Sequence, residues 1–403
     1  MKNWARNIRY STDRIVRPRT IEQAQELIAA EPTIRALGTR HSFTRVADAT
    51  GALLSTEHLD QIVEFGDRTV TVESGIRYGE LGERLLEHGL AVPNYASLPH
   101  ISVGGAIATA THGSGVANQS LASPVSAVDL VLADGSLRTL CRGDDDFDGA
   151  VVALGALGVV ARVTLDVVPA FELRQYVFER LPWSDVDDGV EEILAGGYSV
   201  SLFTTWTEAG VEQVWVKTRD QLGANYFGAG AASGPRNPVP GSSPDNCTEQ
   251  LGRPGPSSDR LPHFRLGFTP SGGDELQTEY IVAREHARDA IRELRRLGPR
   301  ITPLLLISEI RAIAADTYWL SPFYERDSVA FHFTWKPLEA EVLAVLPAIE
   351  AALAPFEPRP HWGKVFLGSP AERYPKLPAF RALRERLDPA GTFGNNFLAQ
   401  LGM

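Results

Sequence analysis

Five side chains on three short segments have the types and spacing to handle hydroxyl groups and their protons. Leu305-Leu306-Ile307-Ser308-Glu309-Ile310-Arg311 reads as a strand, and Glu309 and Arg311, two residues apart, emerge on one face of it. Ala330-Phe331-His332-Phe333-Thr334-Trp335-Lys336 alternates, with Phe331, Phe333 and Trp335 to one side and His332 and Thr334 to the other. Arg359-Pro360-His361-Trp362-Gly363-Lys364 ends in a lysine. A carboxylate, a guanidinium, an imidazole, a hydroxyl and an ammonium can together grip a hydroxyl-rich molecule and stabilise negative charge that develops on one of its oxygens. Taken singly, each also reads as an ordinary strand-face charge or as half of a cross-strand ion pair, such as Glu309 to an arginine.

Two motifs in the first third ask for different chemistry. A short strand, Ile34 to Leu37, runs into Gly38-Thr39-Arg40-His41-Ser42-Phe43. A glycine there lets the backbone turn and approach a ligand closely, and successive backbone N–H groups in such a turn can cradle a pyrophosphate. The segment has neither the GK[ST] of a phosphate loop nor a GxGxxG fingerprint. On spacing alone, His41 reads equally as a surface-loop histidine. The second motif runs from Pro93 through Ala96-Ser97-Leu98-Pro99-His100, Gly104-Gly105 and Thr111-His112-Gly113-Ser114-Gly115, nearly all small or hydroxyl residues. Such residues let backbone lie against a flat ring and a diphosphate; the plainer alternative is a small-residue helix packed tightly in a core.

Together and in this order, the two motifs resemble the FAD-binding half of the vanillyl-alcohol-oxidase type of flavoprotein. The resemblance implies an α+β, two-domain fold: an FAD-binding domain over 1–171, a sheet-based substrate (cap) domain over 172–365, and a C-terminal segment, 366–403, that returns to the first domain. It implies FAD contacts at Gly38, Thr39, Arg40, His41, Ser42, Ser102, Gly105, Thr109, Thr111 and His112, with Val160 beside the cofactor. Ala96 would lie near the reactive edge of the flavin and affect oxygen access, and Ser97 would touch both flavin and substrate. The family's covalent bond from the flavin methyl group to a histidine would fall on His41. One departure stands out: Arg40 occupies a position where glycine is common. If the backbone there needs positive φ, arginine is costly, although its planar fork suits a phosphate of FAD.

Over nearly its whole length the chain is similar to the bacterial alditol oxidases. The likeness includes Asn246-Cys247-Thr248-Glu249-Gln250, Leu261-Pro262-His263-Phe264-Arg265, Trp319-Leu320-Ser321-Pro322 and Leu387-Asp388-Pro389-Ala390-Gly391. It implies that Ser97, Glu309, Arg311, Thr334 and Lys364 bind polyol hydroxyls with His332 close by. Lys364 and Arg311 would polarise the terminal C–OH, and Glu309 would orient a hydroxyl or accept the proton. Hydride would pass from the terminal carbon of xylitol or sorbitol to flavin N5, giving an aldose, and oxygen would be reduced to hydrogen peroxide. Two rivals are an aldonolactone oxidase or dehydrogenase of the same superfamily, and a flavin- or carbohydrate-binding protein without turnover.

Composition narrows the partners. At 403 residues the chain is long for one core, and 43% hydrophobic with 22% charged residues is ordinary for a globular protein. A net charge of −11 argues against nucleic acid, whose binding needs clustered Lys and Arg. No apolar run approaches a membrane span, and Met1-Lys2-Asn3-Trp4-Ala5-Arg6 has no secretory signature, so the expected location is the cytoplasm. Cys141 and Cys247 read as unpaired thiols, and no metal-ligand spacing is present. No feature encodes an oligomeric state. A Gly, Pro and Ser-rich stretch between about 228 and 262 reads either as a flexible insertion or as a packed surface loop.

Overall fold

The computed structural model describes residues 1–267 and 273–403. Its first part carries two main sheets and a two-stranded pairing of Leu90–Ala91 with Val168–Pro169. A small parallel sheet is ordered Ile15–Val16, Ala52–Ser55, Ile34–Leu37, and a five-stranded antiparallel sheet is ordered Ile62–Phe65, Thr69–Glu73, Val159–Asp166, Val125–Val131, Leu137–Cys141. The strand Val159–Asp166 alternates between buried and half-buried residues, as a strand with one covered face should. Thr20 caps the helix Ile21–Ala29 by accepting from the Gln23 N–H. The helix Phe147–Val151 stops, and Leu154 and Gly155 take φ of 52° and 67°. The buried Arg35 guanidinium gathers their carbonyls at 2.6 and 2.8 Å, which holds that turn.

A larger antiparallel sheet dominates the rest. Among the described residues ten strands join it, and its centre runs Val211–Thr218, Ser199–Thr204, Leu305–Ile313, Ser328–Trp335, Leu276–Ala283. One face is apolar: Phe331, Phe333 and Trp335 pack with residues of the helices Trp183–Ala195, Ala287–Arg296 and Glu339–Leu353. The opposite face carries the polar residues of the same strands and looks onto a cavity. The helix Leu377–Leu387 packs back on the first core through Leu377, Phe380 and Leu383.

The Gly, Pro and Ser-rich stretch is a packed wall. Asn237 accepts from Gln213 Nε2 at 2.9 Å, Gln250 exchanges side-chain bonds with the Arg236 backbone at 2.8 and 2.7 Å, and Arg236 pairs with Glu179 at 2.7 Å. Among the described residues no helix is long and apolar enough to cross a membrane. Cys141 and Cys247 are free thiols, one exposed and one buried.

Candidate functional site

A cavity of about 710 Å³ lies between the Gly38–Phe43 loop, the Ala96–His112 segment and the polar face of the large sheet. It falls within the usual range of ligand pockets. Strand register builds the sheet side of it. Phe203 lies opposite Glu309, Glu309 opposite His332, and His332 opposite Glu279, so four neighbouring strands set these side chains in one row, the first three lining the cavity and Glu279 buried at its end. Thr334 and Arg311 sit one step along the same face, on either side of that row.

Glu279 is the hub. It is fully buried and receives Arg311 Nη2 at 2.8 Å on one oxygen and Lys364 Nζ at 2.7 Å on the other. Arg311 also reaches Glu309 at 3.5 Å and Ser97 Oγ at 3.3 Å. Burial opposes charge on Glu279, but Lys364 and then Arg311 outweigh it and hold the carboxyl well below the usual carboxylate range. Glu309 is held low in the same way, against burial, by Arg311 and then His263. Burial lowers the Lys364 ammonium, with Glu279 resisting. Two cations and two carboxylates therefore share one desolvated cluster with no net charge.

Lys364 owes its place to stitching between the two halves. Gly363 O accepts from the Phe43 N–H at 2.6 Å and Trp362 O from Thr44 Oγ1 at 2.8 Å, so the lysine loop is tied to the loop that carries His41. His41 stacks on Trp4 with ring centroids 5.1 Å apart, and its Nδ1 is 3.0 Å from Thr39 Oγ1. Burial, followed by His100, lowers the His41 imidazole to about 4, so this ring is neutral. Arg40 does take positive φ, 65°, the strained conformation that glycine would relieve.

All the residues singled out in the sequence line this one cavity. Gly38, Thr39, Arg40, His41 and Ser42 come from the first loop, and Ala96, Ser97, Ser102, Gly105, Thr109, Thr111 and His112 from the second. Val160 contributes from the five-stranded sheet, and Glu309, Arg311, His332, Thr334 and Lys364 from the far side.

Comparison with known proteins assigns a family to this geometry. A model described as an FAD binding domain matches residues 12–140, and one described as D-arabinono-1,4-lactone oxidase matches residues 274–401. An alditol oxidase of Streptomyces sp. is 48% identical over 99% of this chain and 98% of its own. The chain belongs to the alditol oxidase family. An L-gulono-1,4-lactone dehydrogenase of Mycobacterium tuberculosis is more distant, 29% identical over 98% of this chain and 97% of its own. A solved cholesterol oxidase from B. sterolicum matches with a TM-score of 0.78 over 99% of this chain and 96% of its own, at 17% identity, and shares the fold.

The first half of the cavity suits the FAD that this family uses. A Cβ on Gly38 would meet Ser102 Oγ at 2.7 Å, and one on Gly104 would meet Ser74 Cβ at 2.7 Å, so glycine at both positions lets the segments that line the cavity pack closely on one another. Ser74 Oγ and Ser102 Oγ are buried polar atoms without a protein hydrogen-bond partner, and both residues line the cavity. Polar atoms in that state require a partner, and a diphosphate with its ring system supplies acceptors and donors.

Sequence reasoning passed over Glu279, Gln277, His263, Lys217 and His361. Glu279 offered one signal: a lone carboxylate in the apolar run Leu276-Gln277-Thr278-Glu279-Tyr280-Ile281-Val282. His112, Glu279 and His361 also converge closely enough to surround a metal ion. Glu279 already carries two cations there, and a third positive charge would meet Lys364 and Arg311 directly.

The buried imidazoles make a prediction for this alditol oxidase relative. Burial pushes His112, His263, His332 and His361 below their ordinary value, His263 to about 4. The unfolded chain binds protons at these residues below about 6.5, and the fold refuses them. Stability is therefore expected to fall as pH drops from about 6.5, by up to ~1.4 kcal/mol per pH unit for each histidine kept neutral. Asp316, raised to about 6 by burial, takes up a proton in the fold and offsets one of them. Urea midpoints of the flavin-loaded protein between pH 7.5 and 5.5 measure this; a flat profile contradicts it.

Proposed function

We propose that this chain is an FAD-dependent oxidase that converts the terminal primary alcohol of a linear polyol, such as xylitol or sorbitol, to the aldehyde of an aldose, with oxygen reduced to hydrogen peroxide. The observation that carries this reading is the balanced cluster of Arg311, Lys364, Glu279 and Glu309. Its charges cancel, so it offers no net attraction to an acid or an amine. It does offer dense donors and acceptors, which suit an uncharged chain of hydroxyls and penalise analogues that leave them unpaired.

Bound FAD supplies the hydride acceptor and passes the electrons to oxygen. The protein does the rest. Lys364 and Arg311 donate to the reacting oxygen and stabilise the charge that grows on it. Glu309, ionised and held far below its ordinary range, is a weak base and a strong hydrogen-bond acceptor, so it orients a neighbouring hydroxyl. His332 is neutral, and its Nε2 is a buried atom without a hydrogen-bond partner on the cavity wall, open to a substrate hydroxyl; burial depresses its basicity as Arg311 depresses that of Glu309, so either group takes the alcohol proton only as the hydride leaves. Thr334 and Ser97 complete the hydroxyl contacts, and Ala96 controls oxygen access beside the flavin.

FAD attachment through His41 belongs to the same proposal, supported by the neutral imidazole at the cavity edge. Wild-type protein is expected to keep its yellow colour after acid precipitation, and His41→Ala to release its flavin into the supernatant. Flavin retained by the denatured variant would place the bond elsewhere or deny it.

The lactone reading has one observation in its favour, the match of residues 274–401 to a D-arabinono-1,4-lactone oxidase model. A panel of alditols and 1,4-lactones, assayed in air for peroxide, separates the two. The proposal expects peroxide with xylitol or sorbitol, and peroxide with lactones alone would overturn it.

A further inference from the structure

Behind the cavity wall lies a buried polar chain that the chemistry above does not use. Lys217 is 1% exposed and points inward from the strand Val211–Thr218. Its Nζ donates to the Leu261 carbonyl and lies 2.9 Å from His263 Nδ1. The other ring nitrogen, His263 Nε2, lies 3.0 Å from Glu309 Oε1. We propose that Lys217 and His263 act as a positioning relay that fixes Glu309 as an oriented acceptor for one substrate hydroxyl.

The argument is one of donors and acceptors. An ionised carboxylate only accepts, so the single N–H of the neutral His263 ring sits on Nε2 and donates to Glu309 Oε1. His263 Nδ1 then presents its lone pair to Lys217 Nζ, which burial lowers to about 7 and which has an N–H to donate with or without its extra proton. That bond occupies one carboxylate oxygen and leaves Oε2, 3.5 Å from Arg311 and 3.9 Å from His332, as the oxygen that faces the substrate. The ring has little freedom to turn. Phe203, Trp215 and Phe264 meet it edge to face at centroid distances of 5.5, 5.2 and 6.4 Å. The His263 backbone adds a second link, because its N–H donates to the Ser97 carbonyl at 3.0 Å. One residue thus ties down two of the groups that meet the substrate. His263 itself has no nitrogen left over for the substrate, and Lys217 does not reach the cavity, so both act through Glu309.

The segments Asn246–Gln250 and Leu261–Arg265 gain a purpose from this. Thr248 N–H donates to His263 O at 2.9 Å, Thr248 Oγ1 to Pro262 O at 2.7 Å, and Arg265 Nε to Cys247 O at 2.8 Å. The pairing delivers His263 to its place between Lys217 and Glu309.

The relay rests on the polyol reading of the site, and its test is arranged so that the two can fail separately. Flavin-loaded wild type is first shown to oxidise xylitol; if it does not, the substrate reading fails and the relay is then measured with whichever alcohol or lactone reduces the flavin. Three variants follow. Lys217→Met keeps volume but removes the donor, and His263→Phe removes the ring N–H. His263→Gln places an amide N–H near the position of Nε2 with no tautomer to fix. A hydrogen bond to a charged group is worth about a tenfold or greater change in binding. Lys217→Met and His263→Phe are therefore expected to raise KM about tenfold, with a smaller change in kcat and unchanged flavin content. His263→Gln should recover most of the loss seen in His263→Phe. In the His263→Gln background, Lys217→Met should cost far less than it does alone. Equal losses in the Gln and Phe variants would overturn the relay, and so would Lys217→Met effects that simply multiply with those of His263→Gln. If Lys217→Met yields no folded flavoprotein, the comparison of Gln with Phe at 263 decides alone.

Discussion

Lys364→Ala is expected to slow the reduction of the flavin by a polyol at least about 100-fold, the scale seen when one preorganised donor to a developing oxyanion is removed. The ammonium stands 2.7 Å from Glu279 in a cluster shielded from water, so its field is not diluted by solvent. The flavin should stay bound, because the segments proposed to hold it, Gly38–Ser42 and Ala96–His112, do not include Lys364. Rapid mixing under nitrogen measures the step directly. A near-normal rate in a yellow variant would remove Lys364 from the chemistry.

Glu279→Ala is expected to destabilise the fold by about 3–5 kcal/mol, the usual cost of stripping the partner from a buried charge. The cost arises because two cations, Arg311 and Lys364, lose their shared carboxylate at once. Glu309 still faces Arg311 at 3.5 Å, but nothing replaces the 2.7 Å contact to Lys364. The Lys364 ammonium should then deprotonate at lower pH, since Glu279 is what resists the effect of burial. Chemical denaturation of the flavin-loaded protein reads the loss. A midpoint that corresponds to less than about 1 kcal/mol would mean that the cations find other partners, and would contradict the role of Glu279 as hub.

Much of this architecture was legible before any coordinates. The alternation of Phe331, Phe333 and Trp335 against His332 and Thr334 names a strand with one apolar and one polar face, and the structure puts the three aromatics under helices and the other two on the cavity. The small-residue run around Gly104-Gly105 leaves open approach to a ligand or tight packing; Gly104 packs against Ser74, and both residues line the cavity. Arginine at position 40, where glycine is common, is costly if φ is positive, and its φ is 65°. The hub could not be read in the same way. Nothing in Glu279-Tyr280-Ile281 says that His332 will be its neighbour across a strand, because register is a tertiary property set by the pairing of whole strands. His263 and Lys217 were hidden for a related reason. They are 46 residues apart in sequence and meet only after the loop between them folds back. The Gly, Pro and Ser-rich stretch was ambiguous because the bonds that pack it, from Gln213 and Gln250 to the backbone at Asn237 and Arg236, come from residues whose composition carries no periodicity.

The central claim is that this cavity oxidises an uncharged polyol at a primary alcohol. Anaerobic bleaching of the flavin tests it most directly. Protein under nitrogen is mixed with xylitol, and separately with a 1,4-lactone, and the flavin absorbance is followed before and after air is admitted. The account predicts rapid bleaching by xylitol, with colour returning after aeration as one hydrogen peroxide appears for each xylitol oxidised. Bleaching by the lactone alone, or a flavin that neither compound reduces, would contradict it.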